Sequence, residues 1–361
     1  MRPLYYLSAL GLSGALLGTL PATAQTYSVK DLGIPPQAQF SGASGINQSG
    51  QVIGYFGTNV PAGPLSSFVY SDGKVIQLDF FAEGIAGDDR KNPWEEGDKR
   101  KLRITGTLGN SAVLYQDNFL RTLGTLPGSS DSAGSAVNSS GEVAGVALYI
   151  TGSEQAFLYK NGNMINLGAL PGDPGAAALA INDAGDVTGV SATPNGYFGH
   201  AFLYHKDKMI DLGTVPGASV SWGLAINNSL QVAGYSYSTD FSIFHAFLWS
   251  NGKMKDLGVL SNGSQSGAEG INAWGQVVGN ADVGQPNVLI HAFLYNNGKM
   301  YDLNSLVPPN SGWVILYAEG INDKGEIAAT GSLNGTQHAV LLTLDCKDRR
   351  TRECDPCRIG H

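Results

Sequence analysis

The chain has 361 residues, of which 42% are hydrophobic, 14% are charged and 49 are glycine. This apolar fraction excludes a disordered chain, and so many glycines exclude a mainly helical one. The formal net charge of −8 excludes the basic surface that nucleic-acid binding needs, so we expect no nucleic-acid partner. An acidic surface remains compatible with neutral ligands, cations and basic partners.

Residues 1–24 have the pattern of a secretory signal peptide. Arg2 gives a positive start, an apolar run follows over residues 4–20, and Ala22 and Ala24 provide the small side chains of a cleavage site. A retained membrane anchor is the alternative, but the run is short and rich in glycine. No later stretch is long and apolar enough to span a bilayer. We expect a secreted or periplasmic protein without a membrane span after cleavage.

One phrase, I-N-x-x-G-x-V-x-G, recurs along the rest of the chain. The copies begin at Ile46, Val137, Ile181, Ile226, Ile271 and Ile321, with a degenerate copy at Ile85. Successive copies are 39, 52, 44, 45, 45 and 50 residues apart. Each repeat holds four runs with strand character, which we name strands a, b, c and d. Four strands in a period of about 45 residues are typical of a β-propeller blade.

The fourth and fifth repeats illustrate the expected strands. Strand a covers residues 178–182 and ends in a turn, strand b covers 186–191, and strand c covers 200–204. The dipeptide Asn251-Gly252 predicts a tight c–d hairpin, with strand d at 253–257. We place the b–c loops on one side of the ring and the d–a loops on the other.

The two ends of the chain predict a closed ring. The last repeat stops after a strand c at residues 338–342, whereas the mature chain begins with a strand d at 27–33 that has no preceding strand c. Together they complete a seventh blade, and closure leaves no exposed sheet edge. We therefore predict an all-β fold over residues 25–345, a seven-bladed β-propeller closed by the N-terminal strand pairing with the C-terminal blade.

Histidine and aspartate occur together in these repeats. If the c–d hairpin pairs regularly, His245 lies opposite Gly258 and has Asp256 as its diagonal neighbour. The same spacing predicts the pairs His200–Asp211, His245–Asp256 and His291–Asp302. His338 has no aspartate in its own repeat and Asp31 has no histidine, so ring closure would pair them. We interpret the four pairs as structural hydrogen bonds rather than catalytic dyads, because one active site does not need four copies.

Three H-A-F phrases, at His200, His245 and His291, alternate with Asp-Leu-Gly and Ile-Asn elements. This pattern resembles the HAF-repeat family of bacterial extracellular repeat proteins over roughly residues 27–344. The resemblance implies an exported bacterial protein, but no general activity and no catalytic residues. Blades 1 to 3 depart from the pattern, with Ser66, Ser111 and Gln155 in place of the histidine.

Three carboxylates lie two residues before the I-N position, on the strand that we expect to line the axis. They are Glu83, Glu269 and Glu319, in blades 2, 6 and 7, and Ser44 occupies the equivalent position in blade 1. Carboxylates that face one channel can bind Ca²⁺ or a basic group. Alternatively, each caps backbone groups or faces water. We expect no cofactor, with Ca²⁺ at these residues as the open alternative.

Two segments depart from the repeat. Residues 86–103, in blade 2, carry charges of both signs, and the segment is either solvated or contacts a partner. Trp94, within this segment, either stacks on a sugar or packs locally. The tail, residues 346–361, contains three cysteines, Cys346, Cys354 and Cys357. They form a disulfide, leave a free or intermolecular thiol, or bind zinc together with His361.

The sequence contains no catalytic motif, and we assign no catalytic residue. We favour an exported, non-enzymatic binding or scaffold propeller that contacts an extracellular glycan or protein partner through its loops. The aromatic residues that we place in these loops are Tyr197, Phe198, Trp222, Tyr235 and Phe241. A polysaccharide-active enzyme is an alternative, with the three channel glutamates as its candidate carboxylates. A structural envelope or matrix component, linked through the tail cysteines, is the third.

Overall fold

The computed structural model describes residues 26–58, 65–87, 102–193, 198–284 and 289–345. These residues form 28 strands in seven four-stranded antiparallel sheets, with one turn of 3-10 helix at Leu303–Ser305. None of them belongs to a helix long and apolar enough to cross a membrane. The predicted signal peptide at 1–24, the residue Trp94 and the tail at 346–361 lie outside the described residues.

Each sheet is one blade, and the strands follow one another in space as they do in sequence. The first strand of the chain, β1 (Tyr27–Gly33), belongs to the last blade. Blade 1 contains β2 (Phe40–Ile46), β3 (Val52–Gly57), β4 (Ser66–Ser71) and β5 (Lys74–Leu78). Blade 2 contains β6 (Phe81–Ala86), β7 (Arg103–Leu108), β8 (Ser111–Gln116) and β9 (Phe119–Gly124). Blade 3 contains β10 (Asp131–Val137), β11 (Val143–Leu148), β12 (Glu154–Lys160) and β13 (Asn163–Gly168).

The remaining blades follow the same order. Blade 4 contains β14 (Gly175–Ile181), β15 (Val187–Ala192), β16 (Phe198–His205) and β17 (Lys208–Asp211). Blade 5 contains β18 (Val220–Ile226), β19 (Val232–Tyr237), β20 (Phe244–Ser250) and β21 (Lys253–Asp256). Blade 6 contains β22 (Ser266–Ile271), β23 (Val277–Val283), β24 (Leu289–Asn296) and β25 (Lys299–Asp302). Blade 7 contains β26 (Trp313–Ile321), β27 (Ile327–Leu333), β28 (Thr336–Leu344) and β1.

Ring closure is confirmed. Strand β1 pairs antiparallel with β28, with Tyr27 opposite Leu344 and Asp31 opposite Val340. The Asp345 N–H also donates to the carbonyl oxygen of Thr26 at 2.8 Å, which extends this pairing by one step. The predicted strands of the fourth and fifth repeats agree with the observed ones to within three residues at each end.

The expected placement of the loops is wrong. Consecutive strands within each blade are antiparallel, so a chain that descends along strand a rises along b, descends along c and rises along d. The b–c and d–a loops therefore share one side of the ring, which we call the loop face. The a–b turns and c–d hairpins share the other side, which we call the turn face.

The packing inside a blade explains the last glycine of the repeated phrase. The phenylalanine of the H-A-F phrase is fully buried, as for Phe247, and so is Phe157 at the equivalent position of blade 3, both at 0% exposure. In blade 3 the ring of Phe157 lies over Gly145, where a Cβ would come within 2.6 Å of the ring and 2.1 Å of the carbonyl oxygen of Ala133. Only glycine fits between the two strands there. Burying each such ring stabilises the fold by about 1.5–3 kcal/mol.

Candidate functional site

Every innermost strand has an irregularity at the same place. In each blade one residue of strand a, two before the I-N position, has no partner in the register with strand b. These residues are Ser44, Glu83, Ser135, Leu179, Leu224, Glu269 and Glu319. A β-bulge redirects the side chain of the extra residue and is common beside functional sites. The seven positions are acidic in blades 2, 6 and 7 and apolar in blades 4 and 5.

The two neighbouring glutamates, Glu269 and Glu319, are half-buried. Burial, reinforced by the nearby charge of Glu319, raises the pKa of Glu269 to about 8. Burial also raises the pKa of Glu319 to about 7. None of the described residues forms a hydrogen bond or an ion pair with either carboxyl group. Both groups are therefore partly withdrawn from water without a hydrogen-bond partner in that part of the chain.

The third glutamate stands apart from this pair. Glu83 is the most exposed of the three residues, although desolvation of its carboxyl still raises its pKa. Within the described ranges, no group of three or more His, Cys, Asp or Glu side chains is arranged to hold a metal ion. The three glutamates thus occupy equivalent positions on their strands without forming one compact cluster.

Tyrosines lie beside the two neighbouring glutamates. Burial and the charge of Glu269 raise the pKa of the Tyr235 hydroxyl. Burial and the charge of Glu319 raise the pKa of Tyr55, which also forms a hydrogen bond with the Thr330 hydroxyl. The ring of Tyr55 covers the backbone of Gly42, where a Cβ would come within 2.6 Å of its hydroxyl oxygen. The acidic part of the channel is thus walled by aromatic rings.

Blade 5 carries a continuous series of stacked rings, which we call the aromatic row. Its members are Phe241, Tyr237, Phe244, Tyr235 and Trp222. In that order, the ring centroids of successive members are 5.4, 5.7, 4.9 and 5.9 Å apart. The Phe241 and Tyr237 rings are parallel to within 2°. The row begins with Phe241 at the loop face. Its member Tyr235 lies near Glu269, so the row reaches the glutamate region.

The exposed end of the row is held by a constrained loop. Phe241 is 58% exposed and has φ of +56°, a left-handed conformation that is unfavourable for a bulky residue. Its neighbour Asp240 accepts hydrogen bonds from the Ser238 and Ser242 hydroxyls at 2.6 and 2.8 Å. These bonds lower the pKa of Asp240 to about 2, so the carboxylate stays ionised and keeps the loop closed above acid pH. Such strain is common at functional sites.

The expected location of two aromatic residues is wrong. Trp222 and Tyr235 do not lie in loops but face each other across strands β18 and β19. Phe241 does lie in the b–c loop of blade 5, and Phe198 is the first residue of β16. Tyr197 lies outside the described residues. The aromatic row was missed in the sequence because its members come from two strands, a loop and the start of a third strand.

The opposite end of the channel is organised by the asparagine of the I-N phrase. Asn227 Oδ1 accepts the N–H groups of Ser229 and Gln231 at 3.0 Å each. Its Nδ2 donates to Gln231 Oε1 at 2.7 Å and to the carbonyl oxygen of Asn272, in the next blade, at 3.0 Å. This buried amide therefore closes its own turn and joins two blades.

The same link repeats from blade to blade, and we call it the asparagine belt. The donors are, in order, Asn138, Asn182, Asn227, Asn272 and Asn322, and the last one donates to Asn47, at 3.0–3.2 Å. Blade 2 has Ala86 at the equivalent position, so it cannot contribute an amide. The belt surrounds a cavity of about 220 Å³ at the turn face, lined by the isoleucine and asparagine positions of the phrase. The sequence predicted these asparagines only as turn residues.

The four predicted histidine–aspartate pairs are brought together. The distances from His Nδ1 to the nearest carboxylate oxygen are 2.9 Å for His200–Asp211, 2.8 Å for His245–Asp256, 2.8 Å for His291–Asp302 and 3.0 Å for His338–Asp31. Each aspartate also accepts the backbone N–H two residues further on, as Gly258 donates to Asp256 at 2.7 Å. The pairs thus fix the outer hairpins, one within each of four blades.

In blade 7 the register expected beside the histidine is wrong by one position. In blade 7 the glycine of the Asp-Leu-Gly element, Gly33, lies opposite Ala339 instead of His338, because the strand has a bulge after Asp31. The same shift occurs in blade 3, where Gly168 lies opposite Ala156. The left-handed φ of these glycines accommodates the irregularity.

A fifth histidine–aspartate pair was missed. His205 Nδ1 lies 2.7 Å from Asp186 Oδ1, and the Asp186 side chain is nearly buried. Because Val187 pairs with Tyr204, the two residues are the next cross-strand neighbours at the turn face. The signal was present in the spacing, since Asp186 immediately precedes strand b and His205 ends strand c. Trp94, Cys346, Cys354 and Cys357 cannot be placed, since they lie outside the described residues.

Comparison with known sequences finds a match over part of the chain only. The model of a family described as a protein of unknown function (DUF3466) matches residues 174–347, which contain blades 4 to 6 and strands β26–β28 of blade 7. No curated protein sequence matches the chain. These findings assign no activity.

Solved structures with similar folds have very different sequences. A puromycin-hydrolysing peptidase from Mycobacterium tuberculosis aligns with a TM-score of 0.53 at 11% identity, over 92% of this chain and 56% of the peptidase. The β-propeller domain of the Trilobed protease from Pyrococcus furiosus aligns with a TM-score of 0.53 at 6% identity, over 86% of this chain and 99% of the domain. TolB from Acinetobacter baumannii aligns with a TM-score of 0.43 at 11% identity, over 86% of this chain and 65% of TolB.

This chain spans less than two thirds of the length of the peptidase and of TolB. At these identities, the two likenesses with a TM-score of 0.53 show the propeller fold alone.

Proposed function

We propose that the protein is an exported, non-enzymatic binding propeller that holds an extracellular glycan on the loop face of blade 5. The observation that carries this proposal is the aromatic row. Sugar rings present apolar C–H faces, and these pack favourably against rigid aromatic rings that lose little conformational freedom on binding. A ligand that contacts Phe241 at the loop face can continue along the row towards the channel.

The strained backbone at Phe241 supports the same conclusion. A left-handed conformation at a phenylalanine costs about 1–2 kcal/mol, so folding alone favours asparagine or glycine there. The ring is nevertheless held out at 58% exposure by a loop that its own hydrogen bonds close. An exposed ring at the tip of the loop does not stabilise the fold, so its position there supports a role in binding.

The test is a glycan-binding screen on residues 25–361, with thermal shift and product mass recorded together. The decisive variant is Phe241→Asn, because asparagine adopts the left-handed conformation easily and removes only the ring. The matched control is Phe119→Asn, at a residue that is 76% exposed on the outermost strand of blade 2. We expect Phe241→Asn to weaken glycan binding about tenfold, which corresponds to about 1.4 kcal/mol, and Phe119→Asn to leave it unchanged.

Three results would count against the proposal. If no glycan shifts the melting temperature of the wild-type protein, the glycan-binding function fails. If both variants bind as the wild type does, the aromatic row is not the site. If new products appear in the mass spectra, the protein is an enzyme, and the channel glutamates become the first residues to substitute.

A further inference from the structure

The loop face has a second feature, an opening between blades 1 and 2 that we call the loop-face recess. Its volume is about 440 Å³, which is within the range typical of ligand-binding pockets. Leu78 and Phe80 line it and also pack into the core between the two blades. Phe81 and Leu108, from the two inner strands of blade 2, also line it and are each 43% exposed. Two large apolar side chains therefore border the opening.

A short connection in the chain accounts for the recess. Only residues 79–80 join β5 to β6, whereas the other d–a connections contain six to ten residues, from 125–130 after blade 2 to 303–312 after blade 6. A longer connection buries one aliphatic side chain, as for Val215, and continues across the loop face. Blade 1 buries Phe80 instead, and no further residue of its connection covers the neighbouring side chains.

Two other departures from the repeat occur at the same junction. Ser66 stands where the H-A-F phrase has histidine, and it lines the recess with a much smaller side chain. The b–c loop of blade 2 consists of residues 109–110, whereas residues 238–243 form that of blade 5. Each change removes atoms from the loop face, so three departures from the repeat together open one space.

The charge of the recess favours one kind of ligand. Among the described residues that line it, Asp79 is acidic and none is Lys, Arg or His. The exposed Asp79 carboxylate forms no hydrogen bond or ion pair within the described part of the chain. Glu83, which is also exposed, lies two residues beyond Phe81 on β6. A cation next to an apolar group therefore complements the recess, whereas an anion beside Asp79 is repelled.

We infer that the loop-face recess binds an extended basic peptide of a partner protein, whose large apolar side chain enters the recess and whose adjacent Lys or Arg pairs with Asp79. The apolar side chain contacts Phe81 and Leu108, and its removal from water stabilises the complex. The formal net charge of −8 also favours encounters with basic chains. A sugar fits less well, because its hydroxyl groups lose water against these side chains without gaining hydrogen bonds. This site is separate from the glycan site on blade 5.

Three labelled peptides test both parts of the inference. They share Gly-Ser ends and carry Lys-Phe-Lys, Glu-Phe-Glu or Lys-Ser-Lys at the centre. Binding to the full chain is measured by fluorescence anisotropy at pH 7 and low salt, with protein up to about 1 mM. We expect the Lys-Phe-Lys peptide to bind at least about tenfold more tightly than the other two, because each of those lacks one of the two interactions.

Two variants with matched controls locate the site. Leu108→Ser should weaken binding of the Lys-Phe-Lys peptide about tenfold. Leu120→Ser, at a leucine that is 40% exposed on the outer strand of the same blade, should leave binding unchanged. Asp79→Asn should weaken binding about threefold, whereas Asp117→Asn, at an exposed carboxylate on the c–d hairpin of blade 2, should have no effect.

Three results would overturn the inference. The first is equal binding of the three peptides, and the second is no binding of the Lys-Phe-Lys peptide at about 1 mM protein. The third is an equal loss of affinity in Leu108→Ser and Leu120→Ser, because the peptide would then contact the outer strand instead of the recess. None of these results bears on the glycan site, which Phe241→Asn tests separately.

Discussion

The asparagine belt and the region between blades 5 and 6 differ in how closely they follow the repeat. At the turn face, the asparagine belt repeats one set of hydrogen bonds from blade to blade and satisfies each buried amide. Between blades 5 and 6, the aromatic row breaks the repeat, and the partly buried Glu269 has no hydrogen-bond donor among the described residues. Because unsatisfied buried polar groups cost free energy, the first region stabilises the ring and the second reduces its stability. We interpret the departure of the region between blades 5 and 6 from the repeat as an indication that a ligand binds there.

The largest effect is expected from breaking the asparagine belt. Asn227→Ala removes four hydrogen bonds and leaves the N–H groups of Ser229 and Gln231 without their acceptor. We expect the free energy of unfolding to fall by about 2–4 kcal/mol, measured by urea denaturation. The control is Asn163→Ala, at an exposed amide that donates only to Asn161, where the loss should stay below about 0.5 kcal/mol. Similar losses in both variants would show that the belt does not hold the blades together.

A smaller effect is expected from the pH dependence of the glutamate region. The pKa of Glu269 is about 8 in the folded protein and near 4.5 when unfolded, so the folded state keeps a proton that the unfolded state releases. The contribution of this group to stability is therefore complete below pH 4.5 and is lost as the pH rises towards 8. The loss is at most about 1.4 kcal/mol per pH unit.

Glu269→Gln isolates this effect, because glutamine does not titrate. Between pH 5 and pH 8, the wild type should lose more unfolding free energy than the variant, when both are measured in urea at several pH values. If the unfolding free energies of the two proteins depend on pH in the same way, Glu269 is solvated equally in the folded and unfolded states. The contrast between the glutamate region and the asparagine belt would then have no electrostatic basis.

The smallest effect is expected from the histidine–aspartate pairs. The His245 and Asp256 side chains are 26% and 37% exposed, so their attraction is screened by water. A double-mutant cycle with His245→Ala and Asp256→Ala should give a coupling energy of about 0.2–1 kcal/mol, and the cycle cancels the separate loss of the Gly258 hydrogen bond. A coupling energy near the loss of about 2–4 kcal/mol expected for Asn227→Ala would contradict our view that these pairs only fix the outer strand pairs.

Much of the fold was predictable because the blades repeat. The seven copies of one phrase gave the period, and the unmatched strands at residues 27–33 and 338–342 predicted the closure that β1 and β28 make. The four histidine–aspartate pairs followed from the spacing of His245 and Asp256 in a hairpin. Sequence-local geometry carries three of these pairs, whereas the pair His338–Asp31 followed from the expected closure of the ring.

The features that were missed depend on contacts between blades. The turn role of Asn227 can be read from its spacing to Gln231, but its bond to Asn272 requires the next blade to be in place. The bulge at Glu269 adds one residue to a strand, and nothing in the residue types marks it. Trp222 and Tyr235 were expected in loops, whereas their pairing across two strands decides where they lie.

Ring closure has a consequence for how the molecule assembles. The Ser28 hydroxyl bonds to the carbonyl oxygen of Thr343, 315 positions away, so blade 7 is completed only after almost the entire chain is available. Until then β1 has no partner strand, and its edges can pair with other strands. Thr26 and Asp345 are hydrogen-bonded neighbours, so a circular permutation that starts the chain at β2 and continues from β28 into β1 converts this closure into a local hairpin. The position of the chain termini in the ring therefore depends only on the order of the strands in the sequence. The stability of the ring depends on the contacts at all seven junctions between blades.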